Sequence, residues 1–173
     1  STLSWKGANK PEDWPIYITQ CETADNSGQA RTVYDLGDRM TIKIKYEVRD
    51  PLHHPNFMVS LVRSDGVVCA TYSTEIDQID VGKISSDGML ELELPPLKLV
   101  AEMYSVHVTV REKGFQQIVC AQVGATFHIR HDLLDTHFGV FHENARWRHA
   151  PASEGNSHSI SADARHASAI ERG

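Results

Sequence analysis

An all-β sandwich is the fold this sequence predicts. Three observations lead to it: segments that alternate polar and apolar residues, turn signals at short spacing between them, and no convincing amphipathic helix. The expected architecture is an antiparallel β-sandwich, immunoglobulin-like or jelly-roll, of about seven to eight strands. The first strand is read at PIYITQCE, residues 15–22. The second, at 39–49, is the clearest. In MTIKIKYEVRD, Met40, Ile42, Ile44, Tyr46 and Val48 alternate with Thr41, Lys43, Lys45, Glu47 and Arg49, the period of a half-buried strand. NFMVSLVR at 56–63 and VVCATYST at 67–74 follow, then MLELEL at 89–94 with Leu90, Leu92 and Leu94 inside. In the sixth strand, at 102–112, Tyr104, Val106, Val108 and Val110 face in while Met103, Ser105, His107, Thr109 and Arg111 face out. QIVCAQVGATFHIR, 117–130, is the seventh, with Phe127 and Ile129 opposite His128 and Arg130.

Turn chemistry separates these runs. Ser64-Asp65-Gly66 and Ser86-Asp87-Gly88 are expected to be hairpin turns with positive φ at glycine, and Lys113-Gly114 closes a third. The predicted core holds Ile42, Ile44, Tyr46, Phe57, Val59, Leu61, Leu90, Leu92, Tyr104, Val106 and Val108.

In a sandwich of this kind the first, second and fifth strands share one sheet, and the third, sixth and seventh the other. The outward residues then differ sharply. The first sheet shows Lys43, Lys45, Glu47, Arg49, Glu91 and Glu93, a solvated and self-paired surface. The second shows Met58, Ser60, Val62, Ser105, His107, Thr109 and, by the same parity, Gln122, with Arg111 at one end. A nearly uncharged, partly apolar face of that kind is expected to meet a ligand, a partner or the chain's own tail.

Composition bounds the function. A net charge of -6 argues against a nucleic-acid groove, which needs surplus Lys and Arg on one face. Cys21, Cys69 and Cys120 are scattered and lack C-x-x-C spacing, so neither a structural zinc site nor a disulfide framework is expected, and a reducing compartment fits. No run reaches the ~18 apolar residues of a membrane helix and no secretory leader is recognisable at STLSWKGANK. The chain opens on Ser1 without Met, as a processed chain or an excised domain would. Residues 1–13 read as a lead-in or linker and 14–149 as the sandwich. Residues 150–173 read as a disordered polar tail, with a weak helical signal at Ala162 to Ile170.

Catalytic signatures are missing. There is no G-x-x-x-x-G-K-[ST], G-x-G-x-x-G, G-x-S-x-G or H-E-x-x-H. Asp77 and Asp80 lie in one loop but lack EF-hand spacing. His128, His131, His137, His142 and His149 crowd one stretch, yet alternate strand geometry makes them diverge rather than converge as ligands must. No metal, cofactor or catalytic residue is therefore expected.

Four segments, in order, resemble one family. YDLGDRMTIKIKYEV resembles its aromatic–x–x–Gly-Asp opening, and HPNFMVSLVRSDGVVCATYST its Phe–strand–Asp-Gly–strand–Thr hairpin, with Pro55, Phe57, Asp65, Gly66 and Thr74 in place. LELPPLKLVAEMYSVHVTV is similar to its Pro–x–Leu–x–Leu segment through Pro96, Leu97, Leu99 and Tyr104, although Ala101-Glu102 stands where the family has glycine. FGVFHENARW resembles its ending. The family is the C-terminal domain of Wzt, the ATP-binding subunit of O-antigen polysaccharide ABC exporters, and the resemblance spans about residues 14–147. It implies a non-catalytic, cytoplasmic sandwich, peripheral to the inner membrane through the transporter. Such a domain binds the exported O-antigen-type glycan, often at its non-reducing end, and forms a homodimer. It implies as partners the permease and an ATPase domain of the same protein preceding residue 1.

Sugars present apolar C–H faces and vicinal hydroxyls, so a site wants a ring to stack on and hydroxyl, imidazole or amide groups to hydrogen-bond. The expected carbohydrate-binding residues are Ser60, Tyr72, Ser105, His107, Thr109 and Gln122, with the loop from Asp77 to Gly82 as next candidate. An immunoglobulin-like protein-interaction or adhesion module is the alternative, and a sandwich-fold lyase or hydrolase a more distant one. HFGVFHENARW is expected to be the closing strand, with Phe138, Val140, Phe141 and Trp147 as packing surface. Exchanged with a second copy after the hinge at His131-Asp132, it would build the dimer.

Overall fold

The computed structural model describes residues 11–152, so the expectations for residues 1–10 and for the tail beyond 152 lie outside the described residues. The chain divides into two units, the first ending at Glu143 and the second beginning at Asn144. The described part of the second unit, 144–152, has no regular secondary structure, and its Trp147 is 90% exposed.

The first unit is the predicted all-β sandwich. Its strands are β1 (Ile16–Ala24), β2 (Val33–Asp35), β3 (Thr41–Val48), β4 (Leu52–His53), β5 (Asn56–Arg63), β6 (Val68–Ser73), β7 (Lys83–Ile84), β8 (Gly88–Glu93), β9 (Glu102–Arg111) and β10 (Ile118–Arg130). One sheet has the order β1-β3-β8, the other β2-β10-β9-β5-β6, and β4 and β7 form a small pair of their own. The main pairings are antiparallel; β2 joins β10 in parallel. The partition of the long strands between two sheets is as the immunoglobulin-like strand order predicts. β2, β4 and β7, two or three residues each, are additions.

Burial drives this arrangement. Ile16, Ile42, Ile44, Phe57, Val59, Leu61, Tyr104, Val106, Val108, Val110, Phe127 and Ile129 interleave between the sheets, all at 2% exposure or less. Leu90 and Leu92 are only partly buried, because β8 is an edge strand beside an opening between the sheets, and Tyr46 of β3 is also only partly buried. Three rings form one end of the core: Tyr104 stacks on Phe127 with centroids 5.5 Å apart, and Tyr34 meets Phe127 edge-on at 6.1 Å. Their buried hydroxyls are satisfied, Tyr104 donating to the Val100 carbonyl at 2.7 Å and Tyr34 to Arg31 at 2.9 Å. The YDLGD and PPLKL segments meet here. Gly37 N–H donates to the Leu97 carbonyl and Leu97 N–H to the Asp38 carbonyl, both at 2.8 Å, with Gly37 at φ 93.

Gly66 (φ 86) and Gly114 (φ 69) adopt the left-handed conformation expected of their turns. Gly88 does not. It is required for close approach, since a Cβ there would lie 2.5 Å from the Tyr46 hydroxyl. The stretch 137–147 also departs from expectation. Thr136–Phe138 is a 3-10 turn, Phe141 makes one isolated bridge to Leu99, and no closing strand forms. Val140 packs on the core, but Phe138, Phe141 and Trp147 are exposed rather than packed.

Candidate functional site

The outer face of the five-stranded sheet is built in rows fixed by register. Thr71, Ser60, His107 and Val123 form the central row. Ser73, Met58, Thr109 and Ala121 form one neighbour; Val62, Ser105 and Thr126 lie on the other side. None of these side chains carries a formal charge at neutral pH, because burial pushes the His107 imidazole below its ordinary value and keeps it neutral. The sheet β1-β3-β8 is the opposite case, with Lys43 opposite Glu91 at 4.0 Å and Glu93 opposite Thr41.

Four of the six predicted binding residues come together on the uncharged face. The Ser60 and Thr71 hydroxyls are 2.8 Å apart, and Ser105 Oγ is 2.9 Å from His107 Nε2. His107 is 8% exposed and Thr109 6%, sunk among their neighbours. Nδ1 of His107 is buried without a hydrogen-bond partner. An orphaned buried nitrogen costs roughly 1–3 kcal/mol and is the kind of defect that functional sites carry. Arg111 closes one end of the face, held by Nη1–H donation to the Phe115 and Gln116 carbonyls at 3.2 and 2.9 Å.

The other two residues lie elsewhere. Gln122 stands opposite the inward Val108, so it faces the interior, not the outer face. Its amide is occupied: Oε1 accepts from Ile18 N–H at 2.7 Å and Nε2 donates to the Ile18 carbonyl at 3.0 Å. It serves as a pairing partner where the β1–β3 register breaks between Ile18 and Gln20. Tyr72 stands opposite the inward Val59 and borders an apolar slot of about 110 Å³, with Phe57, Leu90, Leu92 and Ile79 as further walls. The outer face consequently has no aromatic ring. Thr71, which the sequence reading left out, belongs to the central row; counting residues outward from the Asp65-Gly66 turn would have paired it with Ser60.

The crowded histidines have local roles. His131 Nδ1 accepts from Leu133 and Leu134 N–H at 3.1 and 3.0 Å, and His137 Nδ1 lies 3.0 Å from Asp135. Among the described residues no three His, Cys, Asp or Glu side chains gather to hold a metal ion. The three cysteines are free, and burial pushes the Cys120 thiol up to about 12. Among the described residues, no helix is long and apolar enough to cross a membrane.

Comparison with known proteins agrees with this architecture. The chain is similar to a crystal structure of the C-terminal domain of wzt, with a TM-score of 0.66 and 9% identity, over 79% of this chain and 85% of that one. That likeness shows the fold. Weaker likenesses reach the alkylpurine DNA glycosylase AlkC of Pseudomonas fluorescens bound to abasic-site DNA (TM-score 0.43, 15% identity, 68% of this chain and 31% of that one). They also reach a Bifidobacterium dentium β-glucuronidase (TM-score 0.42, 16% identity, 68% of this chain and 18% of that one), and neither bears on function. No curated protein sequence matches the chain. The family model described as "Wzt C-terminal domain" matches residues 11–142, most of the chain and the whole sandwich, and the chain therefore belongs to that family.

Proposed function

We propose that this chain is a non-catalytic polysaccharide-binding domain of an ABC exporter, selecting an O-antigen-type glycan, at its non-reducing end, for export. The observation that carries the reading is the outer sheet face centred on His107, uncharged in its central rows and rich in hydroxyls, with buried nitrogens of Asn56, His107 and Arg111 left without partners. Neutral sugars are strongly hydrated by their hydroxyls and carry no charge to repay desolvation of an ionic surface. A face of hydroxyls, a neutral imidazole and small apolar groups suits them. Ser60, Ser105, His107 and Thr109 are the contacts, with Thr71 and Val123 beside them. Gln122 and Tyr72 are excluded from this face by their register. The domain acts in the cytoplasm, held at the inner membrane by the permease and by an ATPase domain of the same protein.

Val123 is 62% exposed, so Val123→Glu places a charge on the face with little effect on folding. Retention of the cognate polysaccharide by this variant and by Ser60→Glu is expected to fall at least about tenfold, with melting temperatures near that of the unaltered chain. Unchanged retention by both would move the site off this sheet.

The working form is a homodimer made by exchange of the segment after Arg130. In a single chain that segment lies along 98–101, through Ala101 N–H to the Leu134 carbonyl (2.7 Å), Val100 N–H to Val140 (3.1 Å) and His142 N–H to Lys98 (2.7 Å). A second copy's segment can make the same bonds, which is the condition for exchange. Leu133, Phe138 and Phe141, 61–74% exposed, supply apolar surface that a two-fold contact would cover. Light scattering should give a dimer for the intact chain and a monomer for a version ending at Arg130. A monomeric intact chain at tens of micromolar refutes the dimer.

A further inference from the structure

A concavity lies at the end of the sandwich where β5 begins and β6 and β9 end. It is a cleft of about 370 Å³ lined by His54, Thr74, Glu75, Gln78, Asp80 and Lys113, with Pro55 and Ile79 completing the wall. Two lining residues, His54 (φ 51) and Gln78 (φ 57), are the described non-glycine residues with left-handed backbone. Such strain persists where the surroundings fix it, and here they do. His54 N–H donates to the Gly82 carbonyl at 2.8 Å, and His54 Nδ1 lies 2.7 Å from Asp80 Oδ1, which also accepts Gly82 N–H at 2.8 Å. Beneath the loop, Asn56, 1% exposed, takes Ser73 Oγ–H (2.8 Å), Thr74 Oγ1–H (3.2 Å) and Glu75 N–H (3.2 Å) on its Oδ1. The cleft is a built feature with a fixed floor.

The cleft adjoins the apolar slot, since Thr74 and Ile79 line both. On one side of Ile79 stand a carboxylate braced by an imidazole, a second carboxylate, an amide and an ammonium. On the other side lie Tyr72, Leu90 and Leu92. The slot, about 110 Å³, is smaller than the ~150 Å³ apolar cavity that takes up benzene, so it suits a methyl or acetyl group and not a sugar ring.

We propose that cleft and slot together form a specificity site for one neutral sugar unit bearing a small apolar exocyclic group, the C6 methyl of a deoxyhexose or the acetyl methyl of an N-acetyl sugar. Asp80 and Glu75 accept hydroxyl protons, Gln78 and His54 Nε2 complete the hydrogen bonding, and the methyl seats between Tyr72 and Leu92. Four carboxylates, Glu75 and Asp80 at the cleft and Asp77 and Glu91 at the slot, against one lysine disfavour a uronic acid. This inference rests on the carbohydrate-binding reading above and adds to it a second place on the molecule and a class of sugar.

The test uses the whole chain, labelled with ¹⁵N and titrated with the methyl glycosides of D-rhamnose (6-deoxy-D-mannose), N-acetyl-D-glucosamine, D-mannose and D-glucuronic acid. Amide shifts that saturate and centre on residues 74–80 and 90–92 are expected for rhamnose or N-acetylglucosamine. Mannose adds a hydroxyl where rhamnose presents its C6 methyl, and an apolar pocket rejects an added hydroxyl by at most about 100-fold, so mannose should bind at least about tenfold more weakly; glucuronic acid should give no shifts. Asp80→Asn should weaken all binding at this site, whereas Leu92→Trp, which fills the slot, should abolish only the preference over mannose. Affinity for mannose equal to that for both rhamnose and N-acetylglucosamine, or no shift in these residues with any probe at tens of millimolar, overturns the proposal. Retention of the cognate polysaccharide, assayed in parallel, separates the two readings. If the chain retains polysaccharide and Asp80→Asn and Leu92→Trp retain it equally, the cleft falls and the His107 face stands. If the chain retains none and no probe binds, both fall.

Discussion

Along the seam where β1 approaches β10, the Gln122 amide bridges both backbone groups of Ile18, and Gly124 lets the chain come so close that a Cβ there would lie 2.5 Å from Cys21 Sγ. Along the opposite seam, between the edge strands β6 and β8, no hydrogen bond joins the strands among the described residues, and Tyr72 looks across a slot at Leu90 and Leu92. A sandwich has two such long edges, and each leaves apolar interior within reach of water. Here one edge is sealed by a side chain that imitates a strand, at the expense of conformational tolerance. The other is left open, at the expense of burial. The difference teaches where to look for function: the sealed edge is committed to stability, and the open edge is available to a ligand.

Four substitutions test that contrast. Gln122→Leu should have the largest effect, since it leaves Ile18 N–H and C=O unpaired in a half-buried seam at roughly 1–3 kcal/mol for each group. A loss under ~0.5 kcal/mol in urea unfolding, the range of ordinary surface changes, would mean that the seam is held by something else. Gly124→Ala should cost roughly 1–3 kcal/mol by overpacking. Cys21→Gly in the same chain should recover part of it, a coupling that only contacting residues show. On the open edge Leu92→Ala should cost about 1 kcal/mol, below the ~2–5 kcal/mol of a fully buried leucine, because the slot already exposes that side chain. A cost equal to that of Gln122→Leu would erase the distinction.

The smallest effect is one of pH. The bond from His54, helped by Gly82 N–H, holds the Asp80 carboxyl below its ordinary value of 3.8. On acidification the unfolded chain takes up that proton first. The stabilisation is thus complete above the ordinary carboxylate value and is lost as the pH falls through the lowered one. Asp80→Asn should flatten the acid limb of the stability curve by a small amount; an identical limb in both proteins would show that the His54–Asp80 contact contributes nothing.

Much of the sandwich was legible because long strands with one wet face declare themselves by alternation: TIKIKYEV and MYSVHVTV gave the inward residues, and the immunoglobulin-like strand order supplied the sheet membership. Short strands have no period to read, which is why VYD, LH and KI escaped. Parity failed once, and instructively. Counting back by twos from Phe127 puts Gln122 on the outer face, but the register of β10 breaks between Val123 and Thr126, and that bulge turns Gln122 inward. Tyr72 was misplaced for another reason. VCATYS alternates too weakly to declare a face, and the count outward from the Asp65-Gly66 turn, which sets Tyr72 opposite the inward Val59, is what decides the side the ring takes. The His54–Asp80 cleft was nearly invisible, since its members come from segments 26 residues apart and are joined by the loop backbone.

The bridge between Ile18 and Gln122 spans 104 positions of sequence, and this sets an order in time. The β5–β6 hairpin, closed by Asp65 and Gly66, needs only its own residues and can form as soon as they are free. The sealed edge cannot close until β10 has been made, because closing so long a loop is entropically costly and its reward comes only at the end. During synthesis β1 can pair with β3, but the Ile18 N–H and C=O that Gln122 takes stay open to water while about a hundred residues emerge behind them. The side chains of Ile16 and Ile18, which the finished core buries, lack part of their cover for that interval, and apolar surface exposed in an unfinished chain is what makes it prone to aggregate.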